Sequence, residues 1–361
     1  MAVPQRALPP LGGLAPPPAD PHQGTPPRTP GSVRRTSHLN ATWPGGRRQD
    51  MHIDAAARDL VTMSSGAVAV AGEQQLHVTV DRTRVLTSIE SSPAVEALPG
   101  LVGGGGSGYR RRLRELLPGE ADAGSLAYFL LDDMPGVTLV GPFAWRLWPE
   151  ATADMRRATQ GADREAAGIR TVARMRDICS GFRSDGLPIQ RMMNAEDPQH
   201  NLVAARDLAQ PDDPLAWHAM RPQPAGSAMM RRRRLVDVAA GEQLAVASLF
   251  RDSIWAPDGT ETVVHEYGLR AAVDPRSLRL TAIRADPRVL PFDTCPAAAR
   301  NVDLLLGEPM GTLRDRVVEL VLGTDGCTHL NDALRALAEV PVMLGELAVA
   351  SRSPASGGAP W

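Results

Sequence analysis

The chain has 361 residues, 43% of them hydrophobic and 22% charged, with a formal net charge of −2. This is the composition of a soluble globular protein with room for two ordinary domains, and it leaves no global field to draw the chain to nucleic acid or an acidic membrane surface. Every one of the 39 basic residues is arginine, which excludes Schiff-base catalysis, a lysine-bound pyridoxal cofactor and the lysine of a phosphate-binding Walker loop.

Residues 1–30 are dense in proline, including Pro9-Pro10 and Pro16-Pro17-Pro18, and are expected to form a disordered tail. Residues 31–150 read as a first α+β unit. A connector follows at 151–228: a helix near 151–180, with Ile169, Val172, Met175 and Ile178 at three-residue spacing, then an irregular stretch broken by prolines from Pro188 to Pro224. Residues 229–350 read as a second α+β unit. In it 244–250, 262–273 and 278–284 are strand-like, Pro257-Asp258-Gly259 supplies a turn, and helices are predicted at 311–322 and 327–339. Residues 351–361 are expected to be a second disordered tail. Strands grouped before helices predict an α+β class, here two tandem diverged domains, each an antiparallel sheet followed by packed helices.

The two units resemble each other in order and spacing. Val80-Asp81 opens a stretch with Thr87, Ile89, Pro93 and Val95; Val273-Asp274 opens one with Thr281, Ile283, Pro287 and Val289. Residues 109–133 lie against 313–337 without a gap, and the arginine-rich starts correspond, Val33-Arg34-Arg35 to Arg231–Arg234. A tandem duplication is therefore expected.

The segment Thr324-Asp325-Gly326-Cys327-Thr328-His329-Leu330 joins the last two predicted helices, with Cys327 in or just before the first turn of the second. A helix start would lower the thiol's pKa and favour a nucleophilic or metal-binding thiolate; the alternative is a small buried core residue. His329, two residues on, points to a different helix face, so a Cys-His dyad needs Cys327 to precede the helix. At the matching place the first unit has Ala123-Gly124-Ser125. The candidate catalytic set is Cys327, Thr328 and His329, with Arg314 and Arg316 to hold a carboxylate or phosphate. Asp132-Asp133 reads as a helix end, the run Gly103–Gly106 as a flexible connection, and the arginine runs as solvated faces or ion pairs. The other histidines show no ligand spacing, so no metal ligands are expected. Cys179, Cys295 and Cys327 are odd in number and widely spaced, which argues against a disulfide framework, and no segment has the length of a secretory signal or membrane span; a cytoplasmic protein is expected.

Arg231–Asp237, Leu304-Leu305-Leu306-Gly307, Val318-Glu319-Leu320 and Gly326-Cys327-Thr328-His329-Leu330 together resemble the uncharacterised bacterial family called domain of unknown function 2889, over about 230–340. The resemblance implies a degenerate copy at about 32–135 and brings no assigned reaction. The order of elements is also similar to that of sulfur-acceptor and iron-sulfur scaffold domains of the SufE and NifU type. Two functions are expected on these grounds: an enzyme of small-molecule metabolism with a Cys/His/Arg site in the second copy, or a non-catalytic binding or assembly protein, including sulfur or metal-cluster handling, in which the Cys-Thr-His segment is structural. A small-molecule ligand is the expected partner, and nucleic acid and membrane are not; the residues name no cofactor or oligomeric state.

Overall fold

The computed structural model describes residues 20–149, 170, 172–194, 196–198, 200–223 and 226–352. Most of the helix predicted near 151–180, and most of both predicted tails, lie outside the described residues. Nine strands form one antiparallel sheet: β1 (Ser32–Thr42), β2 (Met51–Thr62), β3 (Val68–Val80), β4 (Leu86–Ser92), β5 (Val203–Ala204), β6 (Met229–Ala239), β7 (Leu244–Trp255), β8 (Glu261–Val273) and β9 (Leu280–Val289). Their order is β4-β3-β2-β1-β6-β7-β8-β5, with β9 also paired to β8.

The expected pair of separate sheets is therefore joined into one, because β1 and β6 pair along their whole length, from Ser32 opposite Ala239 to Thr42 opposite Met229. The first three strands of the halves match on either side of this seam. β1 and β6 have 11 residues each, β2 and β7 have 12, β3 and β8 have 13. The register shifts at the same place in both, after Asp59 opposite Gly72 and after Asp252 opposite His265. The turn after the third strand is also built alike. Asp81 Oδ1 accepts hydrogen bonds from Thr83 N, Thr83 Oγ1 and Val85 N, and Asp274 Oδ1 accepts from Arg276 N, Ser277 N and Ser277 Oγ.

Helices cover one face of the sheet. In the first half they are α1 (Tyr109–Leu116), α2 (Pro118–Asp122), α3 (Leu126–Asp132) and α4 (Met134–Val140); α5 (Leu187–Met193) lies in the connector; α6 (Leu313–Leu320), α7 (Thr328–Arg335) and α8 (Val340–Arg352) follow in the second half. The α1 and α6 ranges agree with the ungapped sequence match. The next pair does not: α7 starts at Thr328, where the match to Leu126 expects 330. A turn of helix opened by Pro118 separates α1 from α3, whereas a single tighter turn, Gly323–Asp325, separates α6 from α7. The two apolar cores run into each other. Phe129 of α3 is buried in the second half's core, and Met230, Ile254 and Val264 are buried in the first half's.

The opposite face carries a strap made of residues 20–30 and part of the connector. Residues 20–30 were expected to be tail, yet Thr25 is buried, donates from Oγ1 to Leu208 O at 2.6 Å and accepts from Trp217 Nε1 at 2.6 Å. Arg28 grips Asp213 through Nε and Nη2 at 2.7 and 2.8 Å. A proline-rich segment cannot build its own hydrogen-bond ladder, but it can be ordered by side chains that reach it. Leu208, Ala216 and Trp217 of the connector close on Leu235 and Leu249 beneath it. Among the described residues no helix is long and apolar enough to cross a membrane.

Candidate metal centre

The seam between β1 and β6 explains the arginine runs. Six consecutive β1 residues, Ser32 to Ser37, and all of Arg231–Arg234 are buried. Apart from Arg231, which donates to Asn40 and a backbone carbonyl, the arginines here are held in ion pairs and are not solvated faces. Arg35 grips Asp59 at 2.8 and 2.6 Å, and at the matching place Arg232 grips Asp252 at 2.8 and 3.0 Å. Arg34 grips Asp237 across the seam at 2.7 Å, and in the mirrored position Arg231 donates to Asn40 Oδ1 at 2.7 Å. Bidentate guanidinium–carboxylate geometry repays much of the cost of burying the charges. Phe129 and Phe250 add apolar plates: Arg35 lies 5.3 Å over the first, Arg232 4.7 Å over the second and Arg234 within reach of both.

The helices supply the remaining acids. Asp132-Asp133 does end α3, but both carboxylates are buried and diverge to different arginines. Asp132 takes Arg314 and Arg335, at 3.3 and 2.7 Å, while Asp133 takes Arg234 at 2.5 Å and Arg232 at 3.3 Å. Arg110 in α1 reaches across to Asp332 in α7 at 2.6 Å, the reciprocal of Arg314 in α6 reaching Asp132. Burial alone would raise the Asp132 carboxyl, but Arg335, Arg314 and Arg110 hold it well below the usual range. Gly136 in α4 must lack a side chain, since a Cβ there would collide with Arg232 Nη1.

At one edge of this network three side chains converge. Asp252 on β7 and His265 on β8 are cross-strand partners, placed by the hairpin that turns at residues 256–260, and His329 comes from the second residue of α7. His265 Nδ1 is 3.5 Å and His329 Nε2 3.9 Å from Asp252 Oδ2, and the two imidazoles stack with centroids 3.4 Å apart. The potential ligand atoms of all three lie within 4.8 Å of one another. Neither His265 Nδ1 nor His329 Nε2 has a hydrogen-bond partner, although both atoms are buried. Such orphaned polar atoms are costly in a native interior. Burial, only partly countered by Asp252, pushes the His265 imidazole below its ordinary value; burial and the neighbouring His265 push His329 well below it. Both rings are thus neutral near pH 7, the form that ligates metals. For Asp252, burial is outweighed by Arg232 and His265, which keep it ionised. Two neutral imidazoles and a carboxylate form a donor set suited to a divalent transition metal.

The residues picked out by sequence are dispersed. Cys327 is the N-cap of α7 but only 3% exposed. Burial raises its thiol, while Tyr267 and the amides of His329 and Leu330 pull the other way without reversing it. The low thiol pKa expected of a helix start is not realised, because desolvation outweighs the helix end. Thr328 is half-buried beside it. Arg314 is buried in its pairs with Asp132 and Glu339, and Arg316 pairs with Glu308 at 2.9 Å and with Glu319, so neither is at hand to hold a substrate at Cys327. Of the proposed set, His329 alone joins the cluster. Its partners Asp252 and His265 show no ligand spacing along the chain; their signal is the Pro257-Asp258-Gly259 turn, which brings them face to face.

The first half lacks this cluster. Opposite Asp59 stands Gly72, and α3 is capped by Ser125, which accepts from Tyr128 N, with Ala127 two residues on where α7 has His329 after Cys327. No curated protein and no solved structure matches the chain. A family model does match, over residues 229–343, a span that holds all three members of the cluster; this part of the chain is similar to the family described as protein of unknown function (DUF2889).

Proposed function

We propose that the chain is a cytoplasmic, metal-dependent enzyme of small-molecule metabolism, built from two diverged copies of one unit, of which only the second holds a divalent transition metal, at Asp252, His265 and His329. One observation carries this reading: two buried imidazole nitrogens without hydrogen-bond partners converge on one carboxylate. Three protein ligands leave coordination positions for water or substrate, whereas structural zinc sites use four. The His329 side chain is 13% exposed, so the cluster lies near solvent. A metal bound there would polarise a substrate oxygen or lower the pKa of a water. Arg232 orients Asp252 by its bidentate grip, and Asp133 and Asp332 share the counter-charge of Arg232, which leaves an Asp252 oxygen able to serve the metal as well. The equal strand lengths, the common register shift and the repeated Arg–Asp grip support the duplication.

The alternative is a non-catalytic binding or assembly protein. It is favoured by the burial of Cys327 together with Cys179 and Cys295, which makes Cys327 a core residue. Dialysis after loading with Zn²⁺, followed by elemental analysis, separates the two. The proposal expects one ion per chain, lost in His265→Ala and in His329→Ala but kept in His52→Ala, a change at an exposed histidine. Retention of no ion, or the same retention in all variants, removes the metal reading and leaves the alternative.

A further inference from the structure

Most arginines in the sheet are matched to acids, as Arg34 to Asp237, Arg233 to Glu261 and Arg251 to Glu266, while Arg58 and Arg231 donate to backbone carbonyls and Asn40. At one place arginines without a carboxylate lie side by side. On the strap face, a cleft of about 430 Å³ opens beside β8 and β9. Arg270 and Arg284 line it as direct cross-strand partners, both exposed, and among the described residues neither has a carboxylate partner. Like charges placed opposite each other on a sheet are destabilising unless something neutralises them. Arg288 completes the group. Its Nε is buried without an acceptor, and its one acid, Asp286, lies 3.4 Å from Nη1. Three guanidinium groups thus share one carboxylate in a chain whose overall charge is slightly negative. The far wall is apolar, formed by Leu235 and Leu249, and His22 of the strap closes one end by lying against Gly268, where a Cβ would approach its ring to 3.2 Å.

We propose that this cleft binds a small organic phosphate, its phosphate group held by Arg270, Arg284 and Arg288 and its apolar body laid against Leu235 and Leu249. A phosphate monoester carries nearly two negative charges at neutral pH and three acceptor oxygens, which matches three guanidinium groups offset by one aspartate; a carboxylate offers one charge and two oxygens. The cleft and the Asp252–His265–His329 cluster lie on opposite faces of the sheet, so each stands or falls by itself.

Isothermal titration with phenyl phosphate, inorganic phosphate and benzoate tests the assignment on the full chain. Phenyl phosphate is expected to bind more tightly than either of the others, and Arg270→Gln or Arg284→Gln to weaken it by about tenfold or more. Arg111→Gln, a change at an exposed arginine on the helix face, serves as the control for general surface charge and leaves binding unchanged. Both cleft arginines are exposed, so their variants fold, which an unchanged melting temperature verifies. No binding of phenyl phosphate at millimolar concentration, equal binding of benzoate, or equal loss in Arg111→Gln would each overturn the proposal.

Discussion

The two halves of the sheet place the same ion pair in the same position and surround it differently. Around Arg35 and Asp59 the first half puts Gly72 across the strand and Ala127 on the helix, and the second half adds Glu339, just before α8, and Glu346 within it. Around Arg232 and Asp252 the second half puts His265 and His329. The shared grip is thus a structural element of the seam, and the imidazoles are what distinguishes one half from the other. The comparison also explains why two half-sheets become one: each half carries arginine-rich first strands that are satisfied only when acids from both halves surround them.

The largest effect is expected from breaking the shared element. Asp252→Asn and Asp59→Asn each leave a buried guanidinium short of its main partner, and removing one member of a buried pair costs about 3–5 kcal/mol. Equilibrium urea unfolding should show losses of that order in both variants. If only one of them is costly, the two pairs are not equivalent and the comparison fails.

Acid should come next. Burial pushes His218 down to about 3 and His200 to about 4, and it lowers His265 and His329 as well. In the unfolded chain these rings take up a proton below about pH 6.5, while in the folded chain they do not. Stability is therefore expected to fall progressively as the pH drops from about 6.5 toward the folded values. A thermal melting series from pH 7 to pH 4.5 checks this, and His265→Phe/His329→Phe should flatten the profile if the second half contributes to it. An unchanged slope would assign the effect to the remaining histidines.

A smaller, opposite dependence belongs to the surroundings of the first half's Arg35–Asp59 pair. Burial, with Asp59 beside it, pushes the Glu346 carboxyl up to about 8. The folded chain keeps this proton while the unfolded chain loses it above about pH 4.5, so the group's contribution declines as the pH rises toward 8. Glu346→Gln keeps the neutral shape, and its gain in melting temperature should grow from pH 5 to pH 8 and then level off. A gain independent of pH would detach Glu346 from Asp59.

Much of the second half was legible in the sequence, because β-branched runs, the Pro257-Asp258-Gly259 turn and leucines at helical spacing are local signals. Residues 262–273 were predicted as a strand and form β8 from Glu261; the helix predicted at 327–339 begins as α7 at Thr328. The seam was not legible. Arg231–Arg234 reads equally as a solvated face or as ion pairs until its acids, some of them about 100 residues away, are known. For the same reason Cys327 drew attention as a helix-start thiol: nothing local announces that Tyr267 and the core will bury it. His329 was conspicuous, but its partners Asp252 and His265 sit on two strands and become neighbours only through register.

The central claim is that the second half, and not the first, is built to hold a divalent metal. Crystals grown with Zn²⁺ and measured at the zinc absorption edge test it directly. The account predicts one anomalous peak about 2.0–2.2 Å from His265 Nδ1, His329 Nε2 and an Asp252 oxygen. No peak should appear beside Asp59. A peak at Asp59 and Glu346, or none at His265 and His329 in zinc-saturated crystals, would contradict it.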